Sequence, residues 1–202
     1  MLGQKQKKGN ARCPWPGEDT LMIEYHDKEW GMPVFDDQKI FEFLILESMQ
    51  AGLSWRTILH KRANFRKAFA GFDYKKVAKF NKTKVASLLK DSGIIRNQLK
   101  IAAAINNANK FMLVQKEFGS FAKYMWGFVK NKQIQNKRKS LKDIPAVTRE
   151  AEIFAKDLKK RGFKFLGPTV VYAHMQAVGM ANDHLTTCFR EKECRTLFPK
   201  ST

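Results

Sequence analysis

The chain has 202 residues, 44% of them hydrophobic and including 16 Phe and 4 Trp, enough to bury a sizeable core as one domain or two small lobes. No apolar run is long enough to span a bilayer and no signal-like apolar stretch opens the sequence, so a soluble, cytoplasmic protein with no membrane partner is expected. The 38 Lys+Arg against 19 Asp+Glu leave a net charge of +19, which favours a polyanionic partner, nucleic acid first and an anionic membrane surface second. The three cysteines, Cys13, Cys188 and Cys194, are too few and odd in number for a disulfide framework.

Residues 1–10 (MLGQKQKKGN) are polar and basic and read as a flexible arm. Residues 13–35 mix Pro, Gly, Trp and acidic residues and read as irregular. From Asp36 the pattern turns helical: Asp36 or Asp37 caps, and Ile40, Phe41, Leu44 and Ile45 form one face. This helix ends at 51-AGLS-54. A second carries Trp55, Ile58, Leu59, Phe65 and Phe69 and stops at Gly71. Thr83 can cap a short helix with Val85, Leu88 and Leu89 inward, and after a break at 91-DSGIIRNQLK-100 a further helix places Ile101, Ile105, Ala108 and Met112 on its inner face. Residues 130–143 (KNKQIQNKRKSLKD) are strongly basic and read as a solvated connection. Residues 149–161 predict another helix, and Gly167–Pro168 starts the last long one, with Val171, Tyr172, Met175 and Val178 inward. No period-2 strand or internal repeat is present, so the predicted class is all-α.

Three constellations can carry chemistry. The segment 88-LLKDSGIIRNQLKI-101 has the form helix, glycine turn, helix. Gly93 can take positive φ there, letting backbone N–H groups face a phosphate without reading sequence; an ordinary helix corner has the same form. In 43-FLILESMQAGLSW-55, Glu47 interrupts an apolar helix on or beside its buried face. Such a carboxylate either bonds to a nearby helix start or is an acceptor aimed into a pocket. Trp55 can stack on a planar ligand, and the tip Gln50–Ala51–Gly52–Leu53 can carry a small apolar wedge of the kind that enters base stacks. Last, Cys13, His26, His184 and Cys188 form a Cys₂His₂ set suited to zinc, with His184 and Cys188 four apart as on one helix face. Two half-buried cysteines and two surface histidines are the plainer alternative. Four protein ligands would close such a site and make it structural.

The stretches 24-EYHDKEWGMPV-34, 46-LESMQAGLSW-55, 92-SGIIRNQLK-100, 160-KRGFKFLGPT-169 and 182-NDHLTTC-188 resemble DNA-3-methyladenine glycosylase I, the Tag-type branch of the helix–hairpin–helix glycosylases. The resemblance runs in order from Arg12 to about Cys188. It implies an all-α helix–hairpin–helix DNA glycosylase fold with a structural zinc joining the N- and C-terminal segments. The zinc ligands would be Cys13, His26, His184 and Cys188, with no organic cofactor. It implies one glycosylase domain over 12–190 with the hairpin at about 83–112; an arm over 1–11 and a tail over 191–202 are expected to flank it. The implied activity is base-excision repair: hydrolysis of the N-glycosidic bond of 3-methyladenine in alkylated double-stranded DNA. An abasic site remains, the free base is released and no lyase step occurs. The chemistry is assigned to Glu47, the base pocket to Trp15, Tyr25, Glu47 and Trp55 with Trp30 as a further wall, and DNA contacts to Gln50, Gly52, Leu53 and Gly93. A monomer is expected. One departure is Leu99, where the family pattern has a small residue; the tail, with Cys194, lies outside the resemblance.

Two other functions share parts of this pattern. A helix–hairpin–helix protein that binds DNA without catalysis would keep the fold but has no need of Glu47, Trp55 and Tyr25 together. A zinc deaminase needs H-x-E with P-C-x-x-C, which the chain lacks, and an open metal position, which four protein ligands deny.

Overall fold

The computed structural model describes residues 11–197; the arm over 1–10 and residues 198–202 lie outside the described residues. The first helix, α1 (Thr20–Lys28), falls in the stretch expected to be irregular. Its start is fixed by Asp19, whose side chain accepts from the N–H groups of Leu21 and Met22. Met22, Tyr25 and His26 face inward at helical spacing. The surrounding Pro and Gly residues obscured this short element.

Helix α2 (Asp37–Gln50) is the centre of the molecule. Every residue from Ile40 to Met49 is buried, not a single face as the spacing suggested, because α2 packs against α3 (Trp55–Ala68), α6 (Gln98–Phe118), α7 (Phe121–Gly127) and α9 (Pro168–Ala177). Asp36 caps α2, accepting from Lys39 N–H at 2.7 Å. Its neighbour Asp37 serves another helix: its carboxylate accepts from the N–H groups of Phe121 and Ala122, both at 2.9 Å, at the start of α7.

Helix α3 begins at Ser54, whose side chain accepts from Thr57 N–H, and Gly71 lies beyond its end at φ 66° in a 3₁₀ turn. A one-turn helix, α4 (Tyr74–Val77), leads to α5 (Lys82–Lys90). Asn81 caps α5 in place of the expected Thr83, its amide oxygen accepting from Lys84 N–H at 2.9 Å. The inner face of α6 is Ile101, Ala104, Ala108, Phe111 and Val114; Ile105 and Met112 are only half-buried, one residue off the predicted stripe.

The segment 130–143 is not merely a solvated connection. Ile134–Gln135 (β1) pairs in parallel with Ala181–Asn182 (β2), joining Ile134 to Ala181 and Gln135 to Asn182. The buried Gln133 amide donates to the carbonyls of Gly31 and Gly179, both at 2.8 Å. Polar side chains here meet buried polar partners, so a hydrophilic composition did not mean solvent. Helix α8 (Arg149–Lys160) and α9 come next as predicted, α9 with Pro168 in its first turn. A further helix, α10 (Phe189–Thr196), begins at Cys188 and buries Arg190, Glu191 and Cys194. It closes onto the N-terminal segment, with Phe189 N–H donating to the Ala11 carbonyl at 2.9 Å. Among the described residues, ten α-helices and one two-stranded pair make the fold, and no helix is long and apolar enough to cross a membrane.

Candidate functional site

Helix α2, the most buried of the molecule, carries two buried carboxylates, Glu42 and Glu47, and the structure leaves Glu47 unpaired. Glu47 is 4% exposed and accepts no hydrogen bond among the described residues. Removal from water with no compensating partner pushes its carboxyl up to about 8. The two other acids on this side of the core, Glu42 and Glu29, are held low instead, because Arg62 bonds both and screens the cost of burial. Glu47 is therefore the exception, and its carboxylate faces a cavity.

That cavity has a volume of about 380 Å³ and is walled by Trp15, Tyr25, Trp30, Glu47 and Trp55, together with Met22, Gln50, Leu141, Ile144, Ala173 and Gln176. Its aromatic wall is continuous: the rings of Tyr25 and Trp55 lie 5.1 Å apart, and Trp15 packs edge-on against Trp30 at 5.2 Å. The buried indole N–H groups of Trp15 and Trp55 have no hydrogen-bond partner among the described residues. Burial also raises Tyr25 well above the usual phenol value, helped by the nearby Glu47, so it stays a neutral hydroxyl. An open slot of this size, apolar on its faces with one convergent acid, suits a flat heterocycle with N–H groups on its edge.

Behind this wall the Nδ1, Nε2 and Sγ donors of Cys13, His26, His184 and Cys188 lie within 4.8 Å of one another, all buried. Cys13 Sγ lies 3.7 Å from His184 Nδ1, and Cys188 Sγ lies 3.5 Å from His26 Nε2 and 3.6 Å from His184 Nδ1. The outward ring nitrogens are each engaged: His26 Nδ1 sits 2.7 Å from Asp27, and His184 Nε2 sits 2.9 Å from the Trp30 carbonyl. Asp27 is itself held by a two-pronged ion pair from Arg12. Hydrogen bonds from Cys13, His184 and His26 pull the Cys188 thiol down, whereas the same pairing with Cys188 and burial push Cys13 up. His184 and Cys188 do not share a helix as their spacing suggested. They lie in the turn after β2, with Cys188 at the cap of α10, and converge because the turn folds back. The cluster touches the cavity wall directly: Trp15 packs on His26 at 5.4 Å and Trp30 on His184 at 4.6 Å.

The methyladenine glycosylase family model matches residues 15–191. The chain belongs to this family. It is 45% identical over 178 residues to the DNA-3-methyladenine glycosylase of Haemophilus influenzae, covering 88% of this chain and 96% of that one. Against DNA-3-methyladenine glycosylase 1 of Escherichia coli it is 44% identical over 177 residues, covering 88% and 95%. A solved structure of 3-methyladenine DNA glycosylase I from Staphylococcus aureus, described as the structural basis of 3-methyladenine recognition, superposes with a TM-score of 0.85 at 34% identity, covering 95% of this chain and 98% of that one.

The remaining predicted residues of this methyladenine glycosylase fall in two turns. Gln50, Ala51, Gly52 and Leu53 form the turn between α2 and α3, beside a second hollow of about 190 Å³ that also touches Glu47. Gly52 sits at φ 79° and Leu53 is 42% exposed at the tip. Gly93 lies in the turn joining α5 to α6 but does not take positive φ. Glycine is needed there for close approach instead: a Cβ would stand 3.1 Å from the Asn64 Cβ and 2.9 Å from Asp91 Oδ1. Lys61, on α3, donates to the Ser92 carbonyl at 3.0 Å and fixes the turn to the rest of the protein. Leu99 is 68% exposed.

Sequence reasoning missed two kinds of residue. Leu141 and Ile144 wall the cavity, and their signal was present as lone apolar positions in a basic run. Lys100 is a buried cation whose Nζ donates to the carbonyls of Met49 and Ala51, at 2.9 and 2.7 Å. It closes the end of α2, just after Glu47, and ties the 50–53 turn to α6. Burial lowers its ammonium below the usual lysine value.

Proposed function

We propose that this chain is a DNA-3-methyladenine glycosylase that hydrolyses the N-glycosidic bond of 3-methyladenine in alkylated double-stranded DNA, releasing the free base and leaving an abasic site. The observation that carries this reading is the unpaired, buried Glu47 at the wall of an aromatic cavity sized for one base. A normal adenine gives Glu47 nothing to offset ionisation in that slot. A base methylated at N3 is cationic within the nucleoside, and its charge compensates a carboxylate that burial otherwise keeps protonated. Recognition of damage is then a matching of charge, with Trp55 stacking on the ring and Tyr25 orienting its edge. The glycosidic bond of the cationic nucleoside is already weak, and the base departs neutral, so little activation of the leaving group is needed. Glu47 stabilises the bound cation as well as the transition state, so its part is chiefly selection of the lesion.

The base must leave the stack to reach the cavity. Leu53, exposed at the tip of a glycine turn on the cavity rim, is the wedge that fills the space it vacates. The α5–α6 pair acts as the helix–hairpin–helix, holding a phosphate at its turn, and the +19 charge supplies nonspecific attraction to DNA. A direct test is binding of free 3-methyladenine, monitored by quenching of the fluorescence of Trp15, Trp30 and Trp55. Saturable quenching by 3-methyladenine, weak or absent with adenine, is expected; equal response to both would show that the cavity does not select the methylated base by its shape and polar edge.

We also propose that Cys13, His26, His184 and Cys188 hold one zinc ion. Two thiolates and two imidazoles suit zinc, and tetrahedral Zn–S and Zn–N bonds imply S···N edges of about 3.6 Å. The 3.5, 3.6 and 3.7 Å separations fit that frame. Asp27 and the Trp30 carbonyl fix the two ring orientations. With four protein ligands the ion supplies cross-linking of distant chain segments rather than chemistry.

A further inference from the structure

Glu47 is not the only polar side chain on the cavity wall. Gln176, on α9, borders the slot, and its side-chain amide is held from behind by Asp183. Asp183 is 1% exposed and its two oxygens receive four donors. Gln176 Nε2 and the Tyr172 hydroxyl donate to Oδ2, at 2.7 and 2.5 Å. Asn136 Nδ2 and Arg138 Nε donate to Oδ1, both at 2.8 Å. A carboxylate paired with an arginine accepts only, so Gln176 must present its NH₂ group to Asp183. Its Oε1 is thereby turned away from Asp183, and it accepts no hydrogen bond among the described residues.

We propose that Gln176 Oε1 is a specificity determinant that accepts a hydrogen bond from the exocyclic 6-amino group of the base, with Asp183 as the positioning residue that fixes the amide's orientation. The inference rests on the base-excision reading of the same cavity. An amino group has two hydrogens, and Glu47 and Gln176 offer two acceptors. A guanine lesion carries a carbonyl oxygen at that position, which would meet an acceptor and leave both unpaired, and a buried mismatch of that kind discriminates strongly. A freely rotating amide would offer its NH₂ group to the carbonyl and lose the distinction. Asp183 removes that choice by a hydrogen bond that only one orientation allows.

The test is the ratio of 3-methyladenine to 3-methylguanine released from the same methylated DNA. Gln176→Met removes the acceptor at similar volume and should lower 3-methyladenine release by about tenfold, the value of one net hydrogen bond, while 3-methylguanine release rises because its carbonyl no longer meets an opposing acceptor. Asp183→Asn should compress the ratio as well, since an asparagine can accept from or donate to the amide. The double variant Gln176→Glu with Asp183→Asn reverses the pair: the asparagine donates, the glutamate accepts, and a carboxylate oxygen again faces the base. It should restore the preference. A merely structural role would lower release of both bases together and leave the ratio unchanged, which would overturn the proposal. If Gln176→Met does not fold, the Asp183→Asn variant and its reversed partner decide it alone. Wild-type protein that releases neither base would bring down the glycosylase reading itself, a result distinct from an unchanged ratio.

Discussion

Replacing Glu47 with Gln should make the protein more stable and less active, and the gain should grow with pH. The carboxyl titrates near the ordinary 4.5 when unfolded and at about 8 when buried in the fold. A raised folded value means that the native state holds its proton more tightly than the unfolded chain. The favourable contribution is fully present below about 4.5 and is lost progressively as pH rises towards 8. At about 1.4 kcal/mol per unit, the loss is roughly 3 kcal/mol at pH 7 and roughly 5 kcal/mol at pH 8 and above. Glutamine cannot ionise, so Glu47→Gln keeps what the wild type loses. Urea unfolding of both proteins at about pH 5, 7 and 8.5 measures the difference, because the midpoint shifts while the slope stays constant. A stability gap that widens with pH and levels off above 8 is expected, together with a fall in 3-methyladenine excision. A gap that is zero or independent of pH would show that Glu47 is not a buried, unpaired acid, and the charge-matching account would fail with it.

Three further outcomes are expected. Metal analysis of the purified protein should find about one tightly held zinc per chain, and Cys188→Ala should lose it and lower the melting temperature. Because Trp15 and Trp30 pack on the ligand histidines, that variant should also weaken 3-methyladenine binding; wild-type zinc content in the variant would refute the ligand assignment. Lys100→Met strands two carbonyls at the end of α2 and should cost about 1–3 kcal/mol in chemical denaturation, with a negligible change counting against the cap. Leu53→Gly should reduce excision from duplex DNA yet leave binding of the free base intact, and equal loss in both assays would show that Leu53 is not a wedge.

Much of the fold was legible because local signals and burial agree. The end of α2 at 51-AGLS-54, the Gly71 stop and the Gly167–Pro168 start all lie where the sequence puts them. Elsewhere the local signal was weak or misleading for physical reasons. The helix Thr20–Lys28 was hidden because its inward residues, Met22, Tyr25 and His26, are so few that tertiary packing rather than periodicity defines it. Helix α2 buries every side, which erases the one-sided stripe that marks a surface helix. Gly93 was read as a conformational necessity but is a spatial one, and only the position of Asn64, on another helix, reveals that. Trp15, Tyr25, Glu47 and Trp55, grouped through the resemblance, line one cavity. Gln176 lies in none of the quoted motifs, and Asp183, inside 182-NDHLTTC-188, was not singled out there; their meaning depends on the hydrogen bond between them.

The central claim is tested most directly by chromatography of the bases released when the wild-type protein is incubated with methylated double-stranded DNA. The account predicts that free 3-methyladenine appears, that abasic sites form in equal number without strand cleavage by the protein, and that Glu47→Gln releases far less. DNA binding with no base released, or the same release from both proteins, would contradict it.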